Sequence, residues 1–500
     1  MMFIKRLKNR YVIIAFAALC TLLILYCFSN GISGNDFWWH VKVGEWICEN
    51  DMVPTKDIFS WYGMEKDIAW TAHEWLADVV FYIVHSNIGN AGIYILSLIA
   101  ALAMIYMLLW QAKDYIKHNI LISGLFFAML SIVSTMFFYG RPHIFSFFFL
   151  FFEMKILYEF IEKPDTKKIF FIPLIACIWS NMHGGSSNLS YILCIIFVIC
   201  IVMKFKIGRV ESERFSKIYI IRLVVVSALT VCAILVNPVG MHVLTYPYQS
   251  LGDNMMMTVI SEWQAPDAKM IGNLILYFVP IVLMTIGIIT EERKVRFIDI
   301  AVMGAFLFLF FRSARFIMLW YIVATFYAFP YMPECKVKEI TGKLEKITLY
   351  VASIALGVGV IFFAGKVIMN LNNPDLISTV VSDEMIEAIK EDNPERLYND
   401  YNTGETLIYN DIEVFFDARA DLYSAENIMA DGVSLMYLEQ GNSEASTSYV
   451  DVEALMKQYQ FDAILMLKSR PLYAYLISHP ENYECIYEDN KMGYFTVNIQ

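Results

Sequence analysis

Eleven stretches of this chain are too apolar, and most of them too long, to belong to a water-soluble fold. They cover residues 11–28, 91–110, 120–138, 144–161, 169–181, 190–203, 218–236, 271–290, 297–311, 314–332 and 346–367. A helix needs about 20 mostly apolar residues to cross a bilayer. Within the hydrocarbon each backbone N–H and C=O must be satisfied by the chain itself, and a helix does this alone. The runs lack the apolar–polar alternation of barrel strands. They predict an α-helical polytopic membrane protein of about eleven transmembrane helices. The first run follows Lys5-Arg6-Leu7-Lys8-Asn9-Arg10. It is longer than the apolar part of a usual signal peptide and no A-x-A-like site follows, so it reads as an uncleaved first helix.

Charge divides the chain into two physical objects. Residues 369–500 hold 24 Asp and Glu against 7 Lys and Arg, whereas residues 1–368 hold 31 basic residues against 25 acidic ones. The reading is a transmembrane domain over 1–368, with a long first outer loop at 29–90, and a soluble α/β domain over 369–500. An acidic soluble part repels phosphate backbones, which argues against a nucleic-acid partner. The N-terminus and every second connection, down to Lys336 and Lys338, carry 21 Lys and Arg, and the other connections carry seven. Basic loops stay in the cytoplasm. The N-terminus is therefore expected inside, the acidic domain outside, and the protein in the cytoplasmic (plasma) membrane as a multi-pass protein. The nine cysteines have no metal-site or disulfide spacing; six lie in apolar runs. Cys48 and Cys485 are both expected outside, where a bridge between them stays open.

The first outer loop holds six of the ten tryptophans. Phe37–Ile47 has helical spacing with Trp39, Val43 and Trp46 on one face, and Glu74–His85 reads as a second helix. Both are expected in the membrane interface, rings at headgroup depth, with sugar stacking the alternative for one or two tryptophans. In the tail, Asp383–Lys390 and Val452–Tyr459 read as helices, Ala463–Leu467 and Gly493–Val497 as strands, and Gly404 as a turn residue.

Polar residues gather in the connections assigned to the outer face. They are Asp36 and His40 after the first span, and His73-Glu74-Trp75 late in the first loop. Arg141-Pro142-His143 and Trp179-Ser180-Asn181-Met182-His183 follow. Asn237-Pro238, Glu262-Trp263 and Arg312-Ser313-Ala314-Arg315 complete the set. Singly, each has a structural explanation: a snorkelling arginine, an interface histidine, a helix stop. Together on one face they predict a polar chamber. Asp36, Glu74 and Glu262 are candidates for a general base or for ligands of a divalent metal. Arg141, Arg312 and Arg315 suit a phosphate, and His40, His73, His143, His183, Asn181 and Asn237 suit polar substrate contacts. The combination describes transfer from a lipid-linked phosphate donor without a nucleotide; no phosphate-binding loop or dinucleotide fingerprint appears.

These residues resemble a known family. Asp36-Phe37-Trp38-Trp39-His40, His73-Glu74-Trp75-Leu76, Arg141-Pro142-His143, Trp179-x-Asn181-x-His183-Gly184-Gly185, Asn237-Pro238-x-Gly240 and Glu262-Trp263 look like motifs of the GT-C superfamily, integral membrane glycosyltransferases. The likeness is to a bacterial, protein-mannosyltransferase-like group, over about 30–335. In the tail, Tyr398-Asn399-Asp400-Tyr401 with Gly404, and Phe416-Asp417-Ala418-Arg419-Ala420-Asp421, are similar to the same group. The resemblance implies a polyprenyl-phosphate-linked sugar as donor and a glycan, lipid or protein acceptor, among membrane lipids. It makes Asp36 the base, with Arg141, Arg312 or Arg315, and His143 or His183, stabilising the leaving phosphate. Glu74 and Glu262 would orient the acceptor or hold a divalent ion. Many relatives pair two acids at the loop-one aspartate. Here its neighbours are Asn35 and Phe37, and the D-x-D of metal-dependent oligosaccharyltransferases is absent from the outer loops, which leaves metal dependence open. Two alternatives remain: an envelope glycan polymerase or ligase, and a transporter or flippase of lipid-linked glycans. The last expects charges along a path through the spans, where the sequence has almost none at mid-depth. Asp417, Arg419 and Asp421 read either as a fold-stabilising ion-pair network or as a glycan site.

Overall fold

Each of the eleven apolar runs falls on helical structure in the computed structural model, which describes residues 2–32, 36–252, 260–267, 269, 271–290, 294–332, 343–373, 376–377, 379–423, 427–439 and 450–498. Asn35, Lys336 and Lys338 lie outside the described residues. Among those described, six helices are long and apolar enough to cross a membrane: Tyr11–Phe28, Asn90–Ala112, Ile120–Phe137, Gly184–Val202, Lys217–Ile234 and Tyr350–Asn370. The protein is a helical polytopic membrane protein. The remaining apolar helices are shorter for local reasons. Ile172–Met182 starts after a 3-10 turn with Pro173 in its first turn. Leu274–Phe278 is wound as a π-helix before Val279–Thr290. Ile317–Tyr327 is bounded by 3-10 turns at both ends.

The chain forms two compact units. The first comprises Met1–Ile32, Asn87–Pro247 and Ile260–Leu376. At its centre is the helix Ile317–Tyr327, apolar on all sides and buried at every residue, as expected of a helix with no polar face. It packs against Asn90–Ala112, Ile120–Phe137, His143–Glu162 and Phe297–Arg312. The helix Lys343–Asn370 lies against Met2–Phe28 and presents Tyr350, Ile354, Ile361 and Ile368 outward. That surface suits hydrocarbon and not water.

The second unit joins Ser33–Ser86, Tyr248–Val259 and Ile377–Gln500. The compact units thus divide the chain along a different line from its charge: loop-one residues fold with the tail. A four-stranded sheet organises the unit. Leu397–Asn399 runs parallel to Ala463–Leu467, which pairs antiparallel with Met492–Val497, and this pairs antiparallel with Tyr483–Glu488. The loop is stitched on by backbone and side chain. Trp61 N donates to the Val414 carbonyl at 3.0 Å and Val414 N to the Phe59 carbonyl at 3.2 Å. The Trp61 indole N–H donates to the Leu397 carbonyl at 3.0 Å.

The helices expected in the loop are present, at Phe37–Asn50 and Trp75–Ile88, but their aromatic residues do something else. Trp38, Trp39, Trp61 and Trp70 are buried. Trp38 packs on Tyr409 at 4.5 Å between ring centroids, and Trp61 on Phe415 at 5.8 Å. These rings are core, not headgroup anchors, because the tail supplies the apolar partner that the sequence reading gave to lipid. Gly404 is not a turn residue either. It opens the helix Gly404–Tyr409, and a Cβ there would lie 2.6 Å from that of Asp417 and 2.7 Å from the Phe416 carbonyl. The strand Tyr483–Glu488 went unpredicted: it is largely exposed, so its sequence carries no burial pattern. Cys48 and Cys485 are free, exposed thiols.

Candidate functional site

In the first unit three connections meet. Arg141 follows the helix Ile120–Phe137, Glu262 lies in the 3-10 turn Ser261–Trp263, and Arg315 in the 3-10 turn Ala314–Phe316. The two 3-10 turns are tied together: Ser313 Oγ donates to the Glu262 carbonyl at 3.1 Å, and Ala314 N to the Gln264 carbonyl at 2.9 Å. One Arg141 nitrogen, Nη1, reaches both Glu262 carboxylate oxygens at 3.2 Å. Arg315 lies over the Trp263 ring at 4.2 Å from its centroid, and Arg141 over Tyr139 at 5.0 Å. Burial pushes the Glu262 carboxyl up, but the charges of Arg141 and Arg315 outweigh it and hold the group below its usual value. The result is one guanidinium bonded to the carboxylate and a second over the adjoining Trp263 ring. Arg312 ends the helix Phe297–Arg312 just before this turn and is exposed.

His143 leads from this cluster to a second one. Its Nε2 donates to the Phe137 carbonyl at 2.6 Å, and its ring is 6.5 Å from that of His183. His183 is buried; its Nδ1 lies 2.6 Å from Ser146 Oγ and 2.7 Å from Ser186 Oγ. The Trp179 indole N–H donates to both hydroxyls, at 2.8 and 3.1 Å. The set is satisfied when Nδ1 accepts from a serine, which leaves the ring proton on Nε2. Asn181 and Asn237 stitch helix ends: Asn181 Nδ2 donates to the Val236 carbonyl at 2.8 Å and Asn237 Nδ2 to the Ser180 carbonyl at 2.6 Å.

The other sequence-predicted residues are in the second unit. Asp36 is half-buried, and its carbonyl opens the helix Phe37–Asn50 by accepting from His40 N. His40 is buried, with Nδ1 2.7 Å from Asp78 Oδ1. Burial raises the Asp78 carboxyl well above the usual range, and the Glu74 charge adds to this. The two helices approach closely enough for that contact because residue 44 is glycine: a Cβ there would be 2.1 Å from the Asp78 carbonyl oxygen. His73 Nδ1 donates to the Thr71 carbonyl at 3.0 Å, and Glu74 precedes the helix Trp75–Ile88.

A third cluster, in the same unit, surrounds Arg419, which is buried. Its Nη1 donates to Asp57 Oδ1 at 2.8 Å, its Nε to Asp417 Oδ1 at 2.9 Å and its Nη2 to Asp417 Oδ2 at 2.6 Å. Tyr423 donates to the same Asp417 oxygen at 2.5 Å, and Ser60 donates to Asp57. An ion-pair network is thus present at Asp417 and Arg419.

Sequence reasoning missed Ser146, Ser186, Asp57, Asp78, Glu405 and Glu153. Ser146 lies on an apolar helix without a motif and Ser186 in the short helix Gly184–Ser187 just past one, and the four acids find partners 13 to 362 residues away. Glu153 stands within the helix His143–Glu162, fully buried, bonded to Ser190. That is a charge-bearing group where the spans were expected to have almost none. Among the described residues no group of three or more His, Cys, Asp or Glu is placed to hold a metal ion. In comparisons with known proteins, no protein-family model matches this chain, and no curated protein matches it.

Proposed function

We propose that the protein is a membrane glycosyltransferase. It moves a sugar from a polyprenyl-phosphate donor to a glycan, lipid or protein acceptor on the outer face of the cytoplasmic membrane. About eleven crossings put its N-terminus inside and residues 369–500 outside. The observation that carries the reading is the gathering of two guanidiniums, Arg141 and Arg315, about the Glu262 carboxylate, next to apolar helices. Glu262 orients Arg141, and guanidiniums so placed suit the phosphate of a lipid-linked donor. In the reaction the acceptor oxygen bonds to the anomeric carbon and the bond from that carbon to phosphate oxygen breaks. The charge left on the polyprenyl phosphate falls to the arginines. By the family resemblance Asp36 takes the acceptor's proton.

Farnesyl phosphate, a short polyprenyl phosphate, tests the clamp by titration calorimetry on the detergent-purified protein. Arg315→Gln and Arg141→Lys should each weaken binding about tenfold or more, the loss of roughly one charge-assisted contact. Binding that is equal in all three proteins, or absent from the unmodified one, removes the clamp. Asp36→Asn should abolish sugar transfer while leaving that binding in place.

One observation favours a second reading, a flippase. Glu153 is an acid buried within an apolar helix, and such groups mark paths through membranes. Glu153→Gln stops a flippase and leaves a transferase turning over.

A further inference from the structure

The core of the second unit takes up Trp38, Trp39, Trp61 and Trp70. Trp46 is only half-buried, and it lines a pocket of about 270 Å³. The helix Phe37–Asn50 forms one wall of that pocket, residues 58–59 a second and residues 408–413 a third, all within the second unit. Val414 N, bonded to the Phe59 carbonyl at 3.2 Å, fixes the last two walls together.

Lys42, Glu45, Trp46 and Glu49 stand at i, i+3, i+4 and i+7, which puts them on one face of the helix. Lys42 Nζ lies 2.5 Å from Glu45 Oε2 and 2.6 Å from Asp411 Oδ1, so one cation pins two carboxylates. Trp46, Phe59 and Ile408 supply apolar surface beside them, and Glu49 and Glu413 are exposed at the rim. An anion entering here faces four carboxylates against one ammonium. A cation finds two of those carboxylates already paired with Lys42 and the other two exposed, where an ion pair gains little. A neutral polyol meets neither obstacle. Each of its hydroxyls can donate to a carboxylate or accept from Lys42, and its C–H faces cover the apolar surface. Apolar walls with a few fixed polar groups are what a small-molecule site requires.

We infer that this pocket is a carbohydrate subsite: one ring of a neutral glycan covers Trp46, its hydroxyls held by Lys42 and by the carboxylates of Glu45, Glu49 and Asp411. The inference rests on the transferase reading and deepens it, by making the acceptor a glycan. The volume suits a single ring, since it lies just under the roughly 300–1,000 Å³ of pockets that take drug-sized molecules. Asp36 opens the same helix, ten residues before Trp46 and about 15 Å away along its axis. A short oligosaccharide covers that length.

Saturation-transfer NMR on the full-length protein, purified in a detergent without a sugar head group, tests this with maltotriose, mannotriose and N-acetylchitotriose. At least one of these neutral trisaccharides should receive saturation. Trp46→Ala should weaken its binding about tenfold or more, the usual loss when a tryptophan anchor is truncated, and Trp46→Phe should restore part of it. Glu49→Ala alters an exposed rim residue and leaves the fold alone; it should weaken binding about threefold or more. Tetramethylammonium and inorganic phosphate, the ionic competitors, should displace none of the sugar. Saturation of no trisaccharide, sugar binding untouched by Trp46→Ala or by Glu49→Ala, or displacement by tetramethylammonium overturns the inference. The subsite and the transferase reading fail separately. If farnesyl phosphate binds and no trisaccharide does, the donor clamp stands and the subsite falls. If a trisaccharide binds at Trp46 but gains no sugar from a polyprenyl-phosphate donor, the subsite stands and the transferase reading falls.

Discussion

Arg419 shows what one side chain contributes when water is absent. Its guanidinium meets Asp57 and Asp417, all three buried, and lies over Trp70 at 4.9 Å from the ring centroid. Breaking such a pair leaves buried charge without compensation, at about 3–5 kcal/mol. Arg419→Met should therefore lower the melting temperature sharply, and Asp57→Asn should do so by less, since Ser60 and the Phe59 N–H still find a partner there. Equal, small shifts in both would mean that the network carries little stability. The Arg141–Glu262 pair, partly exposed, stabilises far less. The sequence marked Asp417 and Arg419 as an ion-pair candidate, but Asp57 is 362 residues away, and nothing local to either residue announces the other. The sequence reading set Arg141, Arg312 and Arg315 together as cations and put Glu262 with Asp36 and Glu74; that Glu262 bonds Arg141 while Arg312 is exposed was not legible, because the contact spans 121 residues.

At the scale of elements, the helix Phe37–Asn50 was legible by period and its environment was not. An apolar stripe reads the same whether lipid or protein covers it. Gly44 settles the matter locally, because only a residue without a Cβ admits the Asp78 carbonyl and Tyr82 so near. Gly44→Ala must push the two helices apart. It should cost about 1–3 kcal/mol in overpacking and stretch the 2.7 Å contact between His40 and Asp78. A thermal melt reads the first effect. An unchanged melt would show that these helices slide freely past each other. Strands with a buried run, such as Ala463–Leu467, appeared where expected; Tyr483–Glu488, an exposed edge, left no such trace.

For the whole molecule, apolar length revealed the helices and charge asymmetry suggested their orientation, both being properties that the bilayer reads directly. Cys48 and Cys485 belong to one compact unit and are exposed. In a variant that retains only these two cysteines, a membrane-impermeant maleimide on intact cells should label both. Labelling only after the membrane is opened would invert the orientation, and labelling of one alone would divide the unit. What the sequence hid was which distant segments fold together. Residues 33–86 share a core with 377–500. During synthesis the early segment leaves the ribosome long before its partner exists. Its tryptophans must wait, unburied, through most of translation and insertion. Assembly of this protein is accordingly a closing of first and last parts, dependent on whatever shelters a half-finished chain in the meantime.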